Sequence, residues 1–264
     1  MPVMTDARAA GDGPGPVALV GSGEYLPVLD QIERALIEGR PSRFVQLATA
    51  AAPEGRAALR RWHELGATAA DRIGVEQVVV DVRDRAGAED PQLAGLVAGA
   101  GLIYLSGGDP GFLTDTLRDS AVWAAILASW RDGAALAGCS AGAMAMSGSV
   151  PGIRKPWQDA RPGLGVVPGV EVLPHFDKFA GWMPDLLVRR IAGAPAGVQV
   201  VGIDEDTALV GGLGGWPGGG PAAGGSWRVS GRQSVWLLGP GRRVEHRPGS
   251  TVQLPGAPDP ASRS

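Results

Sequence analysis

Residues 138–142 read GCSAG and set two nucleophiles side by side, a thiol at Cys139 and a hydroxyl at Ser140. The run matches G-x-S-x-G, in which a serine on a sharp strand-to-helix turn is held toward solvent to attack an acyl carbon. In that register Ser140 is the exposed centre and Cys139 points into the packing, while the small flanks Gly138, Ala141 and Gly142 permit close backbone approach. Acyl transfer also needs donors for the oxyanion that develops on the substrate. The N–H of Ala141, opening the following helix, is one candidate, and Gly107 or Gly108 in SGGDPG supplies a second. The plainer reading is that serine and glycine at such a turn only cap a helix.

A serine hydroxyl needs a base, and the chain offers three histidines. His63, in the amphipathic RRWHELG, reads as a helix-surface residue, and His246, in VEHRPG, as an exposed one. His175 ends the strand-like VEVLPHF, where a strand end can bring it to the same crevice as Ser140. The carboxylate that fixes the imidazole tautomer has several candidates. Asp159 lies between the serine and the histidine, and Glu205 ends a later apolar run in GIDEDTAL, flanked by Asp204 and Asp206. Asp177 is near His175 in sequence but is expected on the following turn. Spacing does not choose among them.

Other chemistries fit less well. Gly21, Ser22 and Gly23 lack the third glycine of a dinucleotide fingerprint, and no phosphate-binding G-x-x-x-x-G-K-[ST] run occurs. One cysteine and three scattered histidines give no metal-ligand cluster, so neither metal nor cofactor is expected. The net charge of −3, from 27 acidic and 24 basic residues, is too balanced for a nucleic-acid track or an anionic membrane surface. No apolar stretch is long enough to span a bilayer, and no secretory signal opens the chain, so a cytoplasmic location is the expectation.

The elements that must position these residues alternate between short apolar runs and longer amphipathic stretches, the pattern of a parallel sheet with crossover helices. The spacing predicts strands at 17–23, 44–51, 75–83, 102–108 and 134–140, with helices between them, including one continuous helix over 112–133. The first, fourth and fifth strands end in GSGEY, SGGDPG and CSAGA, turns that can line one crevice at the carboxyl ends of the strands. Further strands are expected at 169–176 and 200–210, and SWRVSGRQSVWLL reads as a hairpin turning at Gly231. A single domain is expected over 17–255, with a glycine-rich loop at 211–225 and disordered tails at 1–16 and 256–264.

Taken in order, a glycine pair after strand four, GCSAGAM after strand five, PHF after the next strand and then GIDEDTAL resemble the serine-peptidase family of cyanophycinases and aspartyl dipeptidases. The resemblance covers roughly residues 17–238. It implies a three-layer α/β sandwich with a mostly parallel central sheet, like the class I glutamine amidotransferase domain with serine in place of cysteine. It also implies Ser140 as nucleophile, His175 as base, and Gly107, Gly108 and Ala141 as the oxyanion region. Asp159, following Ile153-Arg154, and Glu205 both match acid positions, with Asp159 slightly favoured. The family's taste for aspartyl peptides implies a cation near the scissile bond, for which Arg154 or Lys155 is placed. Pro110 stands where cyanophycinases usually carry glutamine, which points away from cyanophycin itself. The expected activity is therefore hydrolysis of a short acidic peptide, Asp-containing or β-aspartyl, through an acyl-enzyme on Ser140. The expected partner is that small peptide, with neither nucleic acid nor membrane, and a homodimer is left open. The rival expectation is a non-peptidase binding or regulatory module on the same fold.

Overall fold

The protein is described here by a computed structural model covering residues 13–152, 159–178, 191, 193–215, 220–221 and 224–256. Strand β1 (Val17–Val20) leads to helix α1 (Asp30–Ile37), and β2 (Arg43–Leu47) to α2 (Arg56–Ile73). Strand β3 (Glu76–Val79) precedes the short α3 (Arg85–Ala88) and α4 (Pro91–Gly95), and β4 (Leu102–Leu105) precedes α5 (Pro110–Leu117) and α6 (Ala121–Arg131). Strand β5 (Ala135–Cys139) runs into α7 (Ala141–Ala145). Then follow β6 (Ser149–Val150), β7 (Arg161–Pro162), β8 (Val170–Leu173), β9 (Gln199–Ile203) and β10 (Thr207–Gly211). Strands β11 (Gly225–Gly231), β12 (Val235–Gly239), β13 (Arg242–His246) and β14 (Thr251–Leu254) complete the order.

The central sheet has eight strands in the order β14-β11-β10-β1-β5-β4-β2-β3. From β1 to β3 every pairing is parallel, and β10, β11 and β14 continue it antiparallel on the β1 side. The apolar run VALV is buried on both faces because the pleat splits it: Val17 and Leu19 join one core cluster, Ala18 and Val20 the opposite one. That division is the three-layer arrangement of a class I glutamine amidotransferase-like fold.

A second, four-stranded sheet, β13-β12-β9-β8, was not foreseen. Its inner residues Val170, Val172, Val201, Ile203 and Val235 belong to the same core cluster as Leu209 and Val229 of the large sheet. Several expectations are corrected by it. The run 200–210 is two strands, not one, because the chain turns at Asp206 (φ 54°) and passes from the small sheet into the large one. The expected hairpin at Gly231 does not form: β11 pairs with β10 and β14, whereas β12 pairs with β9 and β13. Gly231 (φ 113°) marks the return crossing, and Arg232 N–H bonds to the Asp206 carbonyl at 2.9 Å, so the two crossings lie against each other.

The helix expected over 112–133 is broken at Asp119 (φ 56°), after which Ser120 accepts the Trp123 N–H and starts α6 afresh. At the start of the chain, Gly15 and Pro16 of the expected tail are held against α6 and β5. Gly15 N–H bonds to the Trp130 carbonyl, Trp130 Nε1–H to the Gly15 carbonyl, and Leu136 N–H to the Pro16 carbonyl. The glycine-rich stretch connects neighbouring strands of the large sheet, with Gly211 closing β10 and Gly225 opening β11.

Candidate active site

Ser140 sits where β5 becomes α7, at φ 50° and ψ −109°, a backbone conformation a non-glycine residue adopts only when its surroundings enforce it. The Ser140 N–H is held by the Val20 carbonyl at 2.9 Å. The flanks must be glycine because a Cβ at Gly138 would meet the Gly142 backbone carbon at 2.6 Å, and one at Gly142 would overlap the Leu105 carbonyl.

His175 follows β8 and is also left-handed, at φ 50°. The next residue, Phe176, is fully buried and packs over Gly202, where a Cβ would lie 2.5 Å from the ring. Its ring lies 5.9 Å from that of Trp236, which Arg243 covers at 4.6 Å. His175 is thus carried on an anchored turn.

Ser140 Oγ and His175 Nε2 are 3.0 Å apart, and His175 Nδ1 is 3.0 Å from Glu205 Oε1. A carboxylate can only accept, so Nδ1 carries the proton and Nε2 is left as acceptor for the serine hydroxyl. The three adjacent acids of DEDT separate cleanly. Asp204 turns inward to the Trp236 indole and the Ser234 N–H, and burial pushes its carboxyl above the usual range. Glu205 faces the imidazole, and Asp206 faces Arg232 at 3.4 Å. Asp177, ranked low from sequence, has a bracing place: its Oδ1 accepts the Glu205 N–H at 3.1 Å, tying the histidine turn to the glutamate turn.

The slight preference for Asp159 is corrected by this geometry. Asp159 is exposed and lines a groove of about 1140 Å³ that opens at Gly108 and also carries Glu54, Asp109, Asp115 and Arg161. Arg154 and Lys155 lie outside the described residues. His63 is half-buried on α2, where burial lowers its pKa, and His246 ends β13.

Of the three expected oxyanion donors, Gly107 already has an acceptor: its N–H donates to Glu24 Oε1 at 3.0 Å. The N–H groups of Gly108 and Ala141 meet no acceptor among the described residues. Cys139 is fully buried, as its register implies, and its thiol donates to Glu24 Oε2 at 2.8 Å. Burial and the neighbouring carboxylate push the thiol pKa well up, so it is not the thiolate a nucleophile needs. Glu24 is the residue the sequence reading missed; its signal was an acid inside the apolar, glycine-rich turn after the first strand. Among the described residues no group of side chains could hold a metal ion, and no helix is long and apolar enough to cross a membrane.

Comparison with known proteins agrees with this arrangement of elements. Residues 64–211 match the model of peptidase family S51. Cyanophycinases from Trichormus variabilis and from a Nostoc species are each 31% identical over 181 residues, covering 64% of this chain and 56% of theirs. The chain therefore spans about half the length of the curated relatives it matches. A crystal structure of a peptidase from an acI-B1 actinobacterium superposes with a TM-score of 0.82 at 38% identity, covering 92% of this chain and 98% of that one. The match over more than half of the sequence, carried by the strands that hold Ser140, His175 and Glu205, makes this chain a member of peptidase family S51.

Proposed function

We propose that the protein is a serine peptidase that hydrolyses a short aspartyl-containing peptide through an acyl-enzyme on Ser140. The observation that carries the reading is the unbroken hydrogen-bonded line from Glu205 through His175 to Ser140, with 3.0 Å at each step. Ser140 Oγ attacks the scissile carbonyl carbon while its proton passes to His175 Nε2. Glu205 keeps the ring oriented and stabilises the imidazolium that forms. The carbonyl oxygen, now an oxyanion, is received by the open N–H groups of Gly108 and Ala141. Collapse of the tetrahedral species breaks the C–N bond, and the amine leaves with the proton from Nε2. Water, deprotonated by the same nitrogen, then releases the acid and restores the serine.

The groove beside Gly108 shapes the substrate reading. Among the described residues its wall bears Glu54, Asp109, Asp115 and Asp159 against one guanidinium, Arg161, which is itself 2.5 Å from Asp115. Such a wall complements an ammonium or a basic side chain better than a second carboxylate. A short peptide that joins an aspartyl residue, α- or β-linked, to a positively charged partner meets both requirements. The relatives' name points to cyanophycin for those proteins; Pro110, which lines this groove, stands where they usually carry glutamine, and a different aspartyl substrate is proposed here.

The test is turnover of an α- and β-aspartyl dipeptide panel by wild type, Ser140→Ala and His175→Ala. Because such groups act as a unit, each variant is expected to lose on the order of 10⁴–10⁶ in turnover. Retention of wild-type turnover by Ser140→Ala would sink the reading.

A further inference from the structure

Glu24 is a buried carboxylate, 8% exposed, that the mechanism above does not use. A carboxylate removed from water is costly unless both oxygens are satisfied. Here Oε1 takes the Gly107 N–H at 3.0 Å and Oε2 takes the Cys139 thiol at 2.8 Å. One donor is the residue before the open N–H of Gly108, and the other is the residue before Ser140. The next side chain repeats the connection. Tyr25, left-handed at φ 66°, places its hydroxyl 2.6 Å from Ser106 Oγ, and its ring packs against Phe44 and Tyr104 at 6.1 and 5.2 Å. Consecutive residues of the first turn therefore grip consecutive residues of the turn after β4. A Cβ added to Gly107 would lie 2.8 Å from Glu24 Oε1 and 3.6 Å from Ser140 Cβ, so that turn is sandwiched between the carboxylate and the serine.

We infer that Glu24 is a positioning residue that fixes the Gly107-Gly108 turn against the Ser140 elbow, through one backbone N–H and the otherwise idle thiol of Cys139. The inference deepens the serine-peptidase reading and rests on it for its kinetic part. Oxyanion donors act only if they stand still where the charge will develop, and the Gly108 N–H lies between two held peptides: Ser106–Gly107 through the Gly107 N–H on Glu24, and Gly108–Asp109 through the Asp109 N–H on the Ala50 carbonyl at 2.8 Å. Gly108 itself stands at φ 137°, where a Cβ would overlap the Ala50 carbonyl oxygen.

The experiment compares Glu24→Ala, Glu24→Gln, Cys139→Ala and the Glu24→Ala/Cys139→Ala double variant, reading kcat, KM and amide exchange at Gly107. Loss of this kind of alignment costs about 10²-fold, so Glu24→Ala is expected to lower kcat by about that factor with KM within about threefold. Glu24→Gln keeps an acceptor oxygen for Gly107 and is expected to restore most of kcat. Removing Cys139 in the Glu24→Ala background is expected to add nothing, because the thiol has already lost its partner. Gly107 exchange should rise in Glu24→Ala and stay slow in Glu24→Gln. A folded Glu24→Ala with unchanged kcat, a loss carried by KM alone, or unchanged Gly107 exchange each overturns the inference. Should Glu24→Ala fail to fold, the similar-sized but acceptor-free Glu24→Met takes its place. There a fall of about 10²-fold in kcat with faster Gly107 exchange supports the clamp, and unchanged kcat or unchanged exchange overturns it. If wild type cleaves no short peptide, the proposed function fails, and amide exchange at Gly107 still decides whether the clamp exists.

Discussion

Adjacent residues at the elbow meet opposite environments: Cys139 has no exposed surface and donates to Glu24, while Ser140 stands partly open beside an imidazole. Alkylating reagents are therefore expected to leave activity on the peptide panel within about twofold, since a buried protonated thiol is inert. Rapid inactivation by iodoacetamide, with Cys139 modified in the folded protein, would contradict this. The carboxylates separate as sharply. Glu205→Gln removes the negative charge that stabilises the imidazolium and lets an amide NH2 face Nδ1, which favours the wrong tautomer, and is expected to cost on the order of 10³–10⁴ in kcat. Asp159→Asn, on the exposed groove wall, should leave kcat nearly unchanged and act through KM. The reverse ranking would return Asp159 to the imidazole. Sequence could name Ser140 and His175 because a tight G-x-S-x-G turn and a strand-end histidine are local features. It could not rank Glu205 over Asp159, because which of them reaches Nδ1 depends on how two sheets meet.

Among the elements, α1 carries an unusual burden. Glu33 faces inward, 1% exposed, and neither of its oxygens has a hydrogen-bond partner among the described residues. Burial, with Asp30 adding to it and Arg72 partly opposing, raises its pKa from 4.5 to about 7. The folded state then holds this proton more tightly than the unfolded chain does. Stability is therefore expected to fall as pH rises from about 4.5 through about 7, by roughly 3 kcal/mol from this group. Urea melts of wild type and Glu33→Gln should diverge across that window, and parallel curves would refute the assignment. The crossover half of the fold, β1 to β5, was legible because its apolar runs and amphipathic helices carry their own periodicity. The misread elements were those decided by distant partners. SWRVSGRQSVWLL has the spacing of a hairpin, yet its halves pair with β10 and β9 in different sheets. The break at Asp119 and Ser120 was written in a capping serine inside an apolar run, outweighed by the helical period on both sides.

At the scale of the molecule, two sheets share one apolar cluster, and the site straddles them. Ser140 rises from the large sheet, His175 from the small one, and Glu205 from the turn where the chain crosses between them. Because Val172, Ile203 and Val235 pack in the same cluster as Leu209 and Val229, the sheets are expected to unfold together. Activity, tryptophan fluorescence and far-ultraviolet dichroism should fall in one coincident transition with denaturant. Activity lost at clearly lower denaturant would mean that the sheets separate first. The crossing also orders events during synthesis. A nascent chain exposes its serine well before residue 205 leaves the ribosome, and any chain cut short of that point has a nucleophile with no oriented base. On the proposed reading, hydrolytic competence is expected only once β10 has paired with β1, before β11 and β14 extend the same sheet, and products truncated short of residue 205 are expected to stay silent toward their neighbours.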